Sequence, residues 1–315
     1  MEIPDPIIRC QGLGRRFGKV WAVEGLDLEI RRGELFGLVG PDGAGKTTTL
    51  RLFAGLLSIS EGEAWIAGYD LSRQAEAAKR KVGYMAQEFS LYGELSVMEN
   101  LRFFAAIFDV DPQEVELRAA DLLAFAGLEG FEGRRAVHLS GGMKKKLALA
   151  CTLIHEPEVL LLDEPTTGVD PVSRREFWEI LGDLNLRGTT IVVSTPYMDE
   201  ADRCMRVGLM YEGRMIICDT PEALRRRLPG DLLELRPEDW RAARRTLAGM
   251  EGVLEVQTYG EALHLVVDDA GVRLPEIQVR LEEEGVGIQS LRRTPPRMEE
   301  AFISLIRQMD TQEAD

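Results

Sequence analysis

Two hydrophobic periodicities alternate along most of this chain. Near-continuous apolar runs of strand length, GELFGLVG (33–40), EVLLLDE (158–164) and TTIVVST (189–195), are separated by longer stretches with helical spacing. Runs that are apolar at almost every position suit parallel strands covered on both faces. The pattern therefore predicts an α/β layer structure with a largely parallel sheet over residues 7–220. KTTTLRLFAGLL (46–57) reads as the helix after the first run. PVSRREFWEILGDLNLRG (171–188) fits the helix before the last, with Pro171 at a tolerated N-terminal position and Gly188 at its end. Between residues 88 and 138, SVMENLRFFAAIF and PQEVELRAADLLAFAGL are amphipathic helical patterns without a strand between them. That segment reads as a helical subdomain inserted into the α/β core.

The character changes after DTPEALRRRLPGD (219–231). LLELR, DWRAARRTLAGM, GVLEVQTYG, EALHLVVDD, RLPEIQVRLEEEG, GIQSLRR and MEEAFISLIRQM give the order β-α-β-β-α-β plus a last helix, that of a ferredoxin-like unit. With the boundary near Pro229-Gly230, two domains are expected, residues 1–228 and a small α+β accessory domain over 229–315. The length agrees, since single cores stop growing at about 250–300 residues.

Composition narrows the class. No apolar run approaches the roughly 18 residues that a membrane span needs. MEIPDPIIRC lacks the basic start and apolar core of a secretory signal, so a cytosolic location is the expectation. A formal net charge of −15 speaks against a nucleic-acid partner, whose binding rests on clustered Lys and Arg. Cys10, Cys151, Cys204 and Cys218 show no metal-ligand spacing and read as reduced.

The chemistry begins with GPDGAGKT (40–47), a G-x-x-x-x-G-K-[ST] motif placed between a buried strand and a helix. Gly40, Pro41, Asp42, Gly43, Ala44 and Gly45 form a loop whose N–H groups can turn inward around phosphates. The helix after it adds its positive N-terminal end, with Thr48 in the first turn. Lys46 is expected to reach the β- and γ-phosphates of a nucleotide, and Thr47 to offer its hydroxyl to Mg²⁺. VLLLDEP (159–165) delivers two carboxylates from a strand end on the same side of the sheet. Asp163 is placed to hold the Mg²⁺ through water, and Glu164 to orient and deprotonate an attacking water.

HLSGGMKKKLALA (138–150) lies between these two motifs, and with it residues 7–220 resemble the ATP-binding subunits of ABC transporters. In that family two nucleotide-binding domains pair head to tail, with ATP between the P-loop of one and the LSGG segment of the other. The resemblance implies MgATP as ligand and an ATPase activity coupled to transport. It implies that Ser140, Gly141 and Gly142 contact the partner's ATP. Phe17 matches the aromatic that stacks on adenine. Gln87 resembles the Q-loop glutamine, which touches Mg²⁺ and the attacking water. Tyr92 and Glu94 resemble part of the surface that meets a membrane subunit, and Asp170, in TTGVD (166–170), a D-loop contact between subunits. Asp42 departs from the asparagine more usual in this P-loop. Met143 stands where glutamine often ends the signature, as in the drug- and polymer-export subfamily.

One departure bears on mechanism. Pro196 occupies the position of the family's switch histidine, which is thought to bond the γ-phosphate. Proline has no side-chain donor and no backbone N–H. Either Thr195 or Tyr197 substitutes, or this subunit binds MgATP and hydrolyses it slowly, completing the active site of a different partner subunit. RTPPRMEEAFISLI (293–306) resembles the closing motif of subunits that serve ABC-2-type exporters, so an ABC-2 permease is the expected partner, on the cytosolic face of the membrane. Two rival readings are a soluble ABC ATPase outside transport and a regulatory module in which ATP only clamps the dimer.

Overall fold

The computed structural model describes residues 6–88 and 91–313, with side chains as far as Arg307. The chain divides into two compact units, one ending at Thr220 and one beginning at Pro221. This division falls before the Pro229-Gly230 turn, because Pro221 opens a helix that packs with the last helix of the second unit.

In chain order the first unit holds β1 (Pro6–Phe17), β2 (Val20–Arg31), β3 (Leu35–Val39), α1 (Lys46–Phe53), β4 (Glu61–Ile66), β5 (Tyr69–Asp70) and α2 (Ala75–Lys79). There follow β6 (Val82–Met85), α3 (Val97–Ile107), α4 (Pro112–Phe125), α5 (Gly141–Leu153), β7 (Val159–Asp163), α6 (Pro171–Leu186), β8 (Thr190–Thr195), α7 (Met198–Ala201), β9 (Arg206–Tyr211) and β10 (Arg214–Asp219). Six strands form one sheet in the order β10-β9-β3-β8-β7-β6, parallel except for the β9–β10 pair. Strands β3, β7 and β8 are buried at every position, which is what their unbroken apolar runs demand. The order sets β8 between β3 and β7. Its register pairs Val39 with Thr195 and Asp163 with Ser194. Three strands therefore release their carboxyl ends side by side, where open α/β sheets bind ligands.

The other four strands depart from the expected parallel layer. They form a separate antiparallel sheet, β2-β1-β4-β5. The β1–β2 connection is a tight hairpin with Gly18 at φ 61°. Along β2, Leu26, Leu28 and Ile30 are buried while Asp27 and Glu29 are exposed. This period of two marks a sheet covered on one face only.

Helices α3, α4 and α5 make the helical subdomain. Ser96 and Glu99 form a reciprocal capping box on α3, and Asp111 caps α4 ahead of Pro112. The subdomain extends beyond residue 138. Leu147, Ala150 and Cys151 of α5 share one apolar core with Leu101 of α3 and Ala119 and Leu123 of α4.

The second unit holds α8 (Pro221–Arg225), β11 (Asp231–Pro237), α9 (Trp240–Leu247), β12 (Val253–Tyr259), β13 (Ala262–Val267), α10 (Ala270–Glu283), β14 (Ile288–Thr294) and α11 (Met298–Glu313). Its four strands are all antiparallel in the order β12-β13-β11-β14. The RTPPRMEEAF segment belongs to this core. Met298, Glu300 and Ala301 are buried. The Glu300 carboxylate accepts from His264 Nδ1 at 2.6 Å and from the Arg297 backbone N–H at 2.9 Å. No helix among the described residues is long and apolar enough to cross a membrane.

Candidate functional site

The loop from Gly40 to Gly45 links β3 to α1. Gly43 and Gly45 have φ of 81° and 101°, a region that favours glycine. Two of the glycines are also demanded by space. A Cβ on Gly40 would lie 2.2 Å from the Met210 carbonyl oxygen, and one on Gly45 2.3 Å from that of Ala22. No side chain caps α1, so its first N–H groups are left to a ligand. A cavity of about 510 Å³ opens between residues 42–48, from this loop and the start of α1, and Gln87, Glu164, Thr167, Pro196 and Tyr197.

Inside the cradle, buried Lys46 donates to the carbonyls of Gly40 at 2.8 Å and Pro41 at 2.9 Å. Its ammonium lies 3.6 Å from Glu164 Oε1, so two buried opposite charges face each other across the phosphate side of the cavity. Asp163 Oδ1 accepts from Thr47 Oγ1 at 2.9 Å and Ser194 Oγ at 2.7 Å, and Oδ2 accepts from Tyr84 OH at 3.2 Å. A hydroxyl and a carboxylate oxygen within hydrogen-bonding distance are the hard donors that Mg²⁺ uses when phosphate and water supply the rest of its shell. Among the described residues no group of three His, Cys, Asp or Glu side chains could hold a metal ion. The Thr47 and Asp163 oxygens fit a cation whose other ligands are phosphate and water.

Glu164 is held on several sides. Its backbone N–H donates to the carbonyl and the hydroxyl of Ser194, each at 3.1 Å. Its Oε2 accepts from Gln87 Nε2 at 2.9 Å and Thr167 Oγ1 at 3.3 Å. Glu164 has φ 46°, uncommon for a residue with a Cβ. Such strain persists where the surroundings over-determine it, and it clusters at active sites. The Gln87 amide is directed at Glu164, whereas the resemblance also assigns it to Mg²⁺. The Gln87 backbone carbonyl accepts from Lys145 Nζ at 2.7 Å.

At position 196 the strand end offers no substitute through Thr195. That hydroxyl donates to Glu200 Oε2 at 2.6 Å and accepts from the Tyr197 backbone N–H at 3.0 Å. Tyr197 is 37% exposed and lines the cavity, with the Arg174 guanidinium 4.4 Å from its ring centroid. No histidine lines this cavity. His138 lies in the 3-10 turn before α5. His155 stacks on Phe108 at 3.8 Å, and His264 lies in the second unit.

Phe17, Ser140, Gly141, Gly142 and Asp170 line no part of this cavity. Phe17 is 47% exposed at the end of β1, its ring 4.7 Å from the Arg15 guanidinium. Ser140 caps α5 by accepting from the Met143 N–H at 3.2 Å. Gly142 has an intramolecular reason to be glycine, since a Cβ there would lie 2.5 Å from Ser173 Oγ on α6. Asp170 caps α6, and the N–H groups of Ser173 and Val172 hold its carboxyl below the usual range. Sequence reasoning missed Tyr84, Ser194, Thr167, Lys145 and Glu200. Ser194 lies on a strand that the apolar pattern announced, but its place beside Asp163 comes from the pairing of β8 with β7.

A strand-to-helix glycine loop, its lysine and hydroxyl, and two acids from the end of the next strand but one define a P-loop nucleoside triphosphatase. Residues 23–167 match the family model described as ABC transporter. The chain is 34% identical over 303 residues to the daunorubicin resistance ATP-binding protein DrrA2 of Streptomyces coeruleorubidus, covering 95% of this chain and 94% of that protein. It is 33% identical over 309 residues to the linearmycin resistance ATP-binding protein LnrL of Bacillus subtilis, covering 95% and 98%. Against the probable multidrug ABC transporter ATP-binding protein YbhF of Escherichia coli, identity is 41% over 227 residues, 72% of this chain. The match takes in only 39% of that relative's length. Among solved structures, CbiO1 of Clostridium perfringens, part of the ABC transporter complex CbiONQ, superposes with TM-score 0.66 at 29% identity, covering 71% of this chain and 92% of that one. The ATP-binding cassette MJ0796, in a post-hydrolysis state bound to ADP and Pi, gives 0.61 at 26% identity, covering 68% and 98%. The chain belongs to the ABC transporter ATP-binding proteins, a family of ATPases.

Proposed function

We propose that the chain is the ATP-hydrolysing subunit of an exporter, that it works in a nucleotide-sandwich dimer, and that its own site turns over slowly. The observation that carries the reading is the packing around Glu164. The acid lies within 3.6 Å of the P-loop lysine and accepts from Gln87, beside a proline at the switch position. Lys46 neutralises charge on the β- and γ-phosphates, Glu164 takes the proton of the attacking water, and Gln87 and Thr167 hold Glu164 toward that water. Thr47 and Asp163 would hold Mg²⁺, which would neutralise phosphate charge when bound. Nothing at position 196 donates toward the γ-phosphate, and losing one such donor typically lowers the rate by about a hundredfold to a thousandfold.

The signature segment supports pairing, because Ser140 and Gly141 are exposed at the start of α5 and away from the chain's own cavity. A different ATP-binding subunit with an intact switch histidine is the favoured partner. This chain then completes the partner's site. Relatives named for daunorubicin and linearmycin resistance and for Nod factor export support an export role. The membrane partner is an ABC-2 type permease, met on the cytosolic face. A groove of about 470 Å³ lined by Leu91, Gly93, Val137 and Ala148, next to Tyr92 and Glu94, is the surface for it.

Steady-state MgATP hydrolysis by the purified chain, beside its Pro196→His and Glu164→Gln variants, tests the reading, with nucleotide binding measured for each. The expected result is tight binding and slow turnover in the wild type, a gain with Pro196→His and loss with Glu164→Gln. Normal wild-type turnover, with no gain from histidine, overturns the slow-site assignment.

A further inference from the structure

The residue that joins the two halves of this site is one the hydrolytic mechanism does not use. Glu200 lies on α7, four residues after Pro196, and is 1% exposed. Its Oε1 accepts from Thr166 Oγ1 and from Arg174 Nε, each at 2.6 Å, and its Oε2 accepts from Thr195 Oγ1 at 2.6 Å. The three donors come from three different segments. Thr166 lies in the loop that carries Glu164 and Thr167, Arg174 lies in the first turns of α6, and Thr195 ends β8 next to Pro196. Arg174 is held further by Asp199, at 2.9 Å and 3.2 Å.

A buried carboxylate is expensive unless paired and fully hydrogen-bonded. One carboxylate meeting three donors on three segments therefore makes their relative placement rigid. We propose that Glu200 is a positioning residue of the hydrolytic site, fixing the general-base loop and the switch segment at a set separation across the cavity. Two consequences are visible. The Thr195 hydroxyl, the nearest candidate to replace the missing histidine, is committed to Glu200. Tyr197 rests against Arg174 and so enters the cavity on a support that Glu200 itself holds. Because Asp170 caps the helix that bears Arg174, a displacement of that helix start passes through Glu200 to both sides of the site.

The proposal rests on Glu164 being the general base, and the test separates the two. Hydrolysis and nucleotide affinity are measured for Glu200→Gln, Thr195→Val and Thr166→Val in the wild-type chain and in Pro196→His, with thermal unfolding and amide exchange on the same samples. The expected result is an affinity within about twofold of the parent and a kcat at least about tenfold lower, as small misplacements at a reacting centre produce. The same factor is expected in both backgrounds, with faster exchange at the Tyr197 amide. Thr166→Val, which removes one bond to Glu200, carries the test if Glu200→Gln does not fold, since Thr195→Val also takes away the acceptor of the Tyr197 N–H. Where turnover is too slow to read in either background, the Tyr197 and Glu164 amides decide. Unchanged exchange there, unchanged kcat, or loss only in proportion to unfolded protein overturns the positioning role. Hydrolysis that survives Glu164→Gln overturns the base assignment instead.

Discussion

Gln87 Nε2 donates to Glu164 Oε2 at 2.9 Å, so the segment after β6 is hydrogen-bonded directly to the proposed general base. Replacing Gln87 with alanine removes this donor and leaves Thr167 and Lys46 to hold the carboxylate. The expected outcome is a kcat about tenfold lower, roughly 1.4 kcal/mol of barrier, with little change in ATP affinity. Gln87→Glu sets a second carboxylate beside the first and is expected to lower kcat further. Paired kcat and KM measurements check both, and a change confined to KM contradicts the assignment.

Gly45 combines φ 101° with the Ala22 carbonyl oxygen 2.3 Å from where a Cβ would sit. Gly45→Ala must therefore move backbone at the start of α1. Strain of about 1–3 kcal/mol is expected at such a position. The observable is ATP affinity, expected to fall at least about tenfold while the fold is retained, since α1's N–H groups form part of the phosphate cradle.

Gly142 faces Ser173 across the α5–α6 contact, where a Cβ would lie 2.5 Å from the serine oxygen. Gly142→Ala is expected to destabilise the first unit by about 1–3 kcal/mol, the range for overpacking. Adding Ser173→Gly should recover part of that loss. A double-mutant cycle in urea measures the coupling, and strict additivity would show that the clash is relieved elsewhere.

His155 supplies the pH prediction. Its Nε2 donates to the Val82 carbonyl at 3.2 Å, and its Nδ1 is buried without a hydrogen-bond partner. Burial pushes the imidazole below its ordinary 6.5, opposed by the Val82 carbonyl. Because the folded value is depressed, the unfolded chain binds the proton more readily. The stabilisation is complete above pH 6.5 and is lost as pH falls through the lower folded value. Thermal midpoints are expected to drop between pH 7 and pH 5 more steeply in the wild type than in His155→Gln, and equal slopes would exclude this residue as the cause.

The parts of the site that were legible in the sequence are those coded by neighbours in the chain. GPDGAGKT contains its own turn, helix start and lysine, and VLLLDE ends a strand with its acids already in place. The apolar runs announced β3, β7 and β8 because strands buried on both faces have almost no polar positions. The β1–β2 hairpin was less visible as a separate layer, although Leu26, Leu28 and Ile30 alternate with acids, since alternation along one strand does not say which sheet the strand joins.

What the sequence determined by itself was therefore the P-loop fold, the phosphate cradle, the two acids, and the absence of a histidine at position 196. The tertiary structure decided which side chains hold those acids and that the Thr195 hydroxyl is already engaged. Ser194 meets Asp163 because β8 lies in register beside β7. Thr195 has no hydroxyl to spare because Glu200 holds it together with Thr166 and Arg174, donors 34 and 26 residues away from that acid in the chain. Hydrogen bonds of this kind depend on sheet order and helix packing, and no local pattern along the chain encodes them.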